Sequence, residues 1–424
     1  MKDNLITGLD IGTSSVRIVV GQINPDNELN IIAITETPSV GISKGMIVSI
    51  EDAVSSITTC LENAERIVGQ PISHAFVGIS GTHISTMLSK GVIAVSRADN
   101  EVSEADVERV IEAAQAVATP PNYEILHVIP KVFSVDSQTG IKDPVGMSGI
   151  RLEVETQIIQ GLSSQIKNLT KAVYRTGIDI DDLVLSILAN AESCLTKRQK
   201  ELGVVLVNIG SSTTSIAVFE EGDILATHIL PIGAAHVTND IAIGLRISLD
   251  IAEDIKLTYG QAVSREINKR EEINLSEFDD KENENISLKY VSEIIEARMQ
   301  EIFDMVDKKL IEIEKSGLLP AGVVLTGGGA KLPGIIELAK KEFRLPASLG
   351  KLVNVNTAID KVNDLTYTNA VGLCVWGSEF QKQKGGGRIN FVNIKSFFKS
   401  LPKSIKSIKG FGKKIKDWVR DLIP

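Results

Sequence analysis

Cysteine, histidine and aromatic residues are all scarce in this chain. Of 424 residues three are Cys, five are His and two are Trp, and aromatics make up 4%. Cys60, Cys194 and Cys374 are odd in number, far apart and set in apolar surroundings. That pattern excludes a disulfide framework and a Cys-based metal site, and it reads as reduced thiols of a cytoplasmic protein. Also absent is any apolar run of the roughly 20 residues a spanning helix needs. The N-terminus MKDNLITGLD has neither the basic start nor the apolar segment that would direct export. Net positive charge is confined to the tail: residues 388–424 hold eight Lys and two Arg against Asp417 and Asp421, a charge of +8, and a formal net charge of −9 leaves −17 for the rest. An acidic body argues against nucleic acid as a partner and puts any attraction to anionic surfaces in the tail.

What is present is 43% hydrophobic residues, enough for two ordinary domains, and one stretch written twice. LITGLDIGTSSVRIVVG (5–21) and VVLVNIGSSTTSIAVF (204–219) align with Asp10 on Asn208, Gly12 on Gly210, Thr13 on Ser211, Ser14 on Ser212 and Ser15 on Thr213. Each reads as a β-hairpin whose turn is sized for a phosphate. Gly12 and Gly210 let backbone N–H groups approach an anion, and the neighbouring hydroxyls add donors. Two such turns facing each other would clamp a polyphosphate. A third element, GVVLTGGGAKL (322–332), is a buried strand ending in Gly327, Gly328 and Gly329, followed by Ala330 and Lys331.

Between these landmarks the pattern predicts a helix over about 50–68, capped by Ser49 with Asp52, and a strand at 74–81. A small α+β insert over 84–162 contains a second capped helix (Ser103, Asp106) stopped by Pro120-Pro121. A helix over 248–260 carries Glu253 and Lys256 at i, i+3, where a solvated salt bridge is the plainer reading. The charged stretch 264–287 reads as an excursion with a mobile tip. A long helix over 288–316 stops at Gly317, Pro333 marks the first helical position of the next helix, and 367–380 is apolar and helical.

The two turns and the Gly-Gly-Gly strand end resemble the phosphate-1, phosphate-2 and adenosine elements of the actin, Hsp70 and sugar-kinase superfamily. That resemblance implies an α/β, actin-like two-domain ATPase fold. It makes Gly12, Thr13, Ser14, Ser15, Asn208, Gly210, Ser211, Ser212, Thr213, Glu253, Lys256, Gly327, Gly328, Gly329, Ala330 and Lys331 candidate ATP contacts, and Asp10 the catalytic and Mg²⁺ residue, partly through water. With its insert, long helix and tail, essentially the whole chain resembles the FtsA family of bacterial cell-division actin homologues. The family implies subdomains 1A (1–83 and 163–203), 1C (84–162), 2A (204–226 and 306–383) and 2B (227–305), then a basic linker (384–410) and a C-terminal amphipathic helix (411–424). It further implies filaments, other division proteins as partners of the insert, and a peripheral place on the cytoplasmic face of the membrane at the division site. Arg298 and Glu301 of EIIEARMQEIF match the residues that take the acidic C-terminal peptide of FtsZ; from the residues alone they read as a solvated helix face.

Three positions depart from the superfamily pattern. Asn208 stands where relatives usually carry Asp, Ser215 where many carry another, and Ser186 at the place of the water-positioning Gln or Glu. An amide supplies no charge to offset a trianionic transition state, so ATP binding with at most slow hydrolysis is expected. A sugar or acid kinase would need a substrate-side base that the first turn lacks. A pilus-assembly actin homologue with the same insert is the nearer rival, and its family lacks the long basic tail. In that tail Phe411, Ile415, Trp418, Val419 and Leu422 fall on one helical face, with Lys413, Lys414, Lys416 and Arg420 around the rest. A packed terminal helix would show the same stripe, but the Gly-rich, basic approach to it suits a tether to an anionic membrane.

Overall fold

The computed structural model describes residues 5–384, apart from 27, 97–99, 119, 269 and 279–283. The tail on which the membrane helix was expected, and the tip of the 264–287 excursion, lie outside the described residues.

Two sheets repeat one plan. The first runs Asp179–Leu185, His74–Ile79, Leu5–Ile11, Ser15–Ile23, Leu29–Pro38 and Asn356–Thr357. Leu5–Ile11 is antiparallel to Ser15–Ile23 and parallel to His74–Ile79. The second runs Asp223–Leu230, Thr214–Glu220, Val204–Ile209, Gly322–Thr326 and Ala347–Leu349, with Val204–Ile209 again antiparallel to its hairpin partner and parallel to the strand beyond. The central strands are mostly apolar because both faces are covered, with Asp10 and Asn208 as polar breaks near their ends. In the first sheet Leu9, Val16 and Val77 pack with Ile57, Leu61 and Val173 of the helices Ile50–Val68 and Ser163–Arg175, while Ile6, Val19 and Phe76 pack on the other face with Ala370, Val371 and Leu373 of the helix Thr368–Lys384. In the second, Val205, Val207 and Ile209 join a core with Val237 and Ile241, with Met299 and Phe303, and with Leu338 and Phe343.

The helix ends follow their capping chemistry. Ser49 accepts from the Asp52 N–H, and Gly69 closes the same helix in the left-handed region. The long helix is Leu288–Glu312, ending short of Gly317, and Met299 and Phe303 join its buried face. Pro333 does not begin the next helix: Gly334 caps it and the helical residues are Ile335–Phe343. The 264–287 excursion is less irregular than expected, since Glu272–Asn274 and Asn285–Ser287 form a small antiparallel pair.

Residues 87–118 and 128–158 form a compact unit of their own, with the four-stranded sheet order Ile84–Ala94, Arg151–Leu162, Tyr123–Val135, Gln138–Ile141 and the helix Glu104–Ala118. Asp106, fully buried, accepts from the Ser103 N–H and hydroxyl, the Ser96 hydroxyl and Arg109, and these bonds hold its carboxyl far below the usual range despite burial.

Candidate nucleotide site

The two hairpin turns close by the same bond: the Gly12 N–H donates to the Ser15 carbonyl at 3.1 Å and the Gly210 N–H to the Thr213 carbonyl at 2.9 Å. The fold brings them face to face. The Ser212 hydroxyl donates to Thr13 Oγ1 at 2.9 Å, across 199 residues of chain, and the Gly45 N–H reaches the same oxygen at 3.2 Å. The Ser14 carbonyl accepts from the Ser39 N–H, and Ser15 Oγ accepts from Arg17.

The helix Ala234–Leu245 starts on the second turn. Its Ala234 and Ala235 N–H groups donate to the carbonyls of Gly210 and Ser211 at 2.9 and 2.7 Å. Gly233 is required there, because a Cβ would stand 2.5 Å from the Gly210 carbonyl oxygen. Gly327 has φ +83°, and a Cβ on it would lie 2.3 Å from Asn208 Oδ1, while one on Gly329 would lie 2.4 Å from Ile209 Cγ2. The triple-glycine turn, with buried Ala330 after it, therefore lies directly against the second hairpin. Lys331 points elsewhere, pairing with Asp364 at 2.6 Å.

Glu253 and Lys256 form a pair that is buried at the lysine end only. Lys256 is 8% exposed and donates to Glu253 at 2.6 Å, to Thr238 Oγ1 at 2.9 Å and to the Ala234 carbonyl at 3.5 Å, while Thr238 also bonds Glu253. The spacing is common to both readings; burial comes from Thr238, one turn into the helix that leaves the second hairpin. Glu253, 41% exposed in its side chain, is the more open member.

Asp10 is 6% exposed. Burial raises its pKa, partly offset by the Arg17 guanidinium and by a bond from Asn369. Arg17 is opposite Asp10 in the hairpin register and pairs with Glu36 at 2.6 Å. A Cβ on Gly78, beside Asp10 in the parallel strand, would come 2.8 Å from Ser186 Oγ and 3.3 Å from Asp10 Oδ1, so Ser186, at the head of its helix, borders the carboxylate. Asn369 completes the group. Its amide donates to Asp10 at 3.4 Å and accepts from Asn208 at 3.3 Å and Asn190 at 2.7 Å. Sequence reasoning missed Asn369, Asn190, Arg17 and Thr238; the one available signal was an amide interrupting the apolar helix 367–380.

Arg298 and Glu301 lie apart from these residues on the long helix. Arg298 binds Asp240 through two nitrogens, at 2.5 and 2.8 Å, and Glu301 at 2.5 Å. Asp240 was not anticipated: it ties Arg298 into an ion-pair cluster on a helix face where Glu301 stays exposed.

Solved structures that share this fold place the chain in a class. It is similar to a chain of the PilM-PilN type IV pilus biogenesis complex, with a TM-score of 0.63 and 16% identity over 88% of this chain and 98% of that one. It is also similar to MreB 5 of Spiroplasma citri bound to AMPPNP, with a TM-score of 0.55 and 16% identity over 92% and 100%. The fold is thus that of the actin-like α/β proteins.

Sequence comparison narrows the class. The family model described as Cell division protein FtsA matches residues 205–372, and that of the SHS2 domain inserted in FtsA matches 81–160. The chain is 40% identical to Cell division protein FtsA of Pseudomonas aeruginosa over 94% of its length and 95% of the relative's. It is 41% identical to that of Bacillus subtilis over 80% and 76%, and 33% identical to that of Escherichia coli K12 over 88% and 90%. The chain belongs to the FtsA family of cell division proteins, and the sugar-kinase and pilus-assembly readings give way to it.

Proposed function

We propose that this chain is an ATP-binding, polymerising division protein that ties the FtsZ ring to the cytoplasmic face of the cell membrane and recruits later division proteins through the 84–162 insert. The observation carrying the nucleotide part is the Thr13–Ser212 contact, which sets two hydroxyl-rich turns against each other with the triple-glycine turn alongside. What suits a polyphosphate is the hydroxyl-rich pair of turns, held in shape by the Gly12 and Gly210 bonds, with the positive end of a 12-residue helix dipole beside the second turn. The site also suits Mg²⁺, which is usually held by one or two carboxylates, substrate phosphates and waters; Asp10 is the carboxylate. When bound, Mg²⁺ would offset phosphate charge, while Asn208, Ser215 and Ser186 supply none, so slow turnover is expected.

Titration calorimetry with Mg-ATP, run beside a phosphate-release assay, tests this. Binding with slow release supports it, and release at many turnovers per second overturns the reading of those three positions. The partner and membrane readings extend the family resemblance. An acidic FtsZ tail peptide would displace Asp240 from Arg298, and reversing the charge of Arg298 and Glu301 should weaken that peptide in fluorescence anisotropy. The tail should carry anionic vesicles in flotation, with loss in a chain ending at Gly385 and in Trp418→Glu.

A further inference from the structure

Where the sequence is short of acids, the structure has amides. Asn190, Asn208 and Asn369 meet beside Asp10, and Asn369 alone touches the other three. Its neighbours Thr368 and Ala370 are buried in the helix packing, whereas Asn369 is half-open and contributes nothing to the apolar contacts of Ala370, Val371 and Leu373. Its orientation is fixed by its partners. Asn208 and Asn190 both present N–H groups to Oδ1, which leaves Nδ2 as the atom facing the carboxylate. Asn190 is fully buried and shares its own N–H groups with Thr326 and Thr368 at 3.1 and 3.2 Å, so the arrangement is anchored on both sheets and on the last helix.

We propose that Asn369 is a positioning residue of the nucleotide site: it holds the Asp10 carboxylate and the Asn208 amide in one orientation, and so sets how far ATP binding depends on Mg²⁺. The inference rests on the nucleotide reading above. It predicts opposite effects from two substitutions of similar size. Asn369→Leu removes the donor to Asp10 and the acceptor for Asn208, leaving the carboxylate unheld. Asn369→Asp places a second carboxylate beside the first, an arrangement that a cation between them relieves.

The test measures ATP affinity by calorimetry in Mg²⁺ and in EDTA for the full chain and each variant, with a thermal melt beside it. The ratio of the two affinities should fall roughly ten-fold for Asn369→Leu, the scale of one bond to a charged group. For Asn369→Asp it should rise, with weaker binding in EDTA. Should the leucine variant not fold, Asn369→Ser, too short to reach Asp10, carries the same expectation. Ratios within about two-fold of the unaltered chain in all variants, whatever the melts do, would overturn the inference while Mg²⁺-dependent binding by the unaltered chain upholds the nucleotide reading. No Mg²⁺-dependent ATP binding by the unaltered chain would overturn both.

Discussion

Asp10 and Asn208 hold the same place in two copies of one hairpin, and the copies differ in what stands around them. Across the hairpin Asp10 faces Arg17, and Asn208 faces Ser215. Along the parallel neighbour Asp10 meets Gly78, which leaves room for Ser186, and Asn208 meets Thr326, whose hydroxyl accepts from Asn190. The backbone is repeated down to the bond that closes each turn, while charge is confined to the first copy. Turn geometry and anion electrostatics are therefore separable properties here: a glycine and a hydroxyl corner suffice for the first, and the second depends on which side chains line the strand.

The largest expected effect tests that separation directly. Asp10→Ala removes the site's carboxylate while Arg17 keeps Glu36, so the fold should survive. ATP affinity in Mg²⁺ should drop at least about a hundred-fold toward its Mg²⁺-free value, the scale of a lost charge-assisted contact at a buried site. Asn208→Ala should cost only about ten-fold, as for a neutral hydrogen bond. Calorimetry that ranks the two the other way breaks the comparison.

A second prediction concerns buried titratable groups; desolvation lowers His228 of the second sheet too, but the two histidines with the large shifts are in the first half. His83 and His127 in the first half are buried, and desolvation lowers both to about 4. His127 accepts from the Leu185 N–H at 2.9 Å, a bond that protonation of Nε2 would break, and neither ring nitrogen of His83 has a partner among the described residues. The buried cation of the second half, Lys256, is instead paired. A lowered folded-state pKa contributes stability that is complete above the unfolded value and lost as pH falls toward the folded one. Each histidine should cost about 2 kcal/mol between pH 7 and 5. Asp182, raised to about 6 by burial, works in the opposite direction and returns about 1 kcal/mol over the same interval. The net loss from these three groups, roughly 3 kcal/mol, should appear in urea unfolding. In hydrogen exchange, amides near His83 and His127 should lose protection before those of Val204–Ile209. Uniform loss would remove the distinction.

How much of this was legible in the sequence differs from residue to residue. The paired turns, the capped helix after Ser49 and the insert were readable because a hairpin corner, a cap and a change of periodicity are local signals. Lys256 was not, since i, i+3 spacing is the same for a solvated pair and for one closed over by Thr238. Asp240 was not, because its partner Arg298 is 58 residues away. Asn369 was least legible of all: a helical pattern shows that a polar residue interrupts an apolar face, and says nothing of a carboxylate 359 residues upstream.

The smallest expected effect comes from restoring the missing charge with Asn208→Asp. The replaced amide nitrogen now donates to Asn369 Oδ1, so the substitution sets two acceptors against each other. Rotating Asn369 relieves that contact only by turning its oxygen toward Asp10 and giving up the 2.7 Å bond from Asn190. The space is tight on the other side as well, because Gly327 packs against Oδ1. A cation between positions 10 and 208 resolves the conflict without moving either. The variant should therefore melt lower than the unaltered chain in EDTA and recover most of the difference in Mg²⁺. Phosphate release should rise by up to about ten-fold, since a second carboxylate is worth on the order of 1.4 kcal/mol to a transition state gathered around the metal. If release stays flat while Mg²⁺ rescues the melt, the expected slow turnover is to be sought at Ser215 and Ser186, and the carboxylate at position 208 governs metal affinity alone.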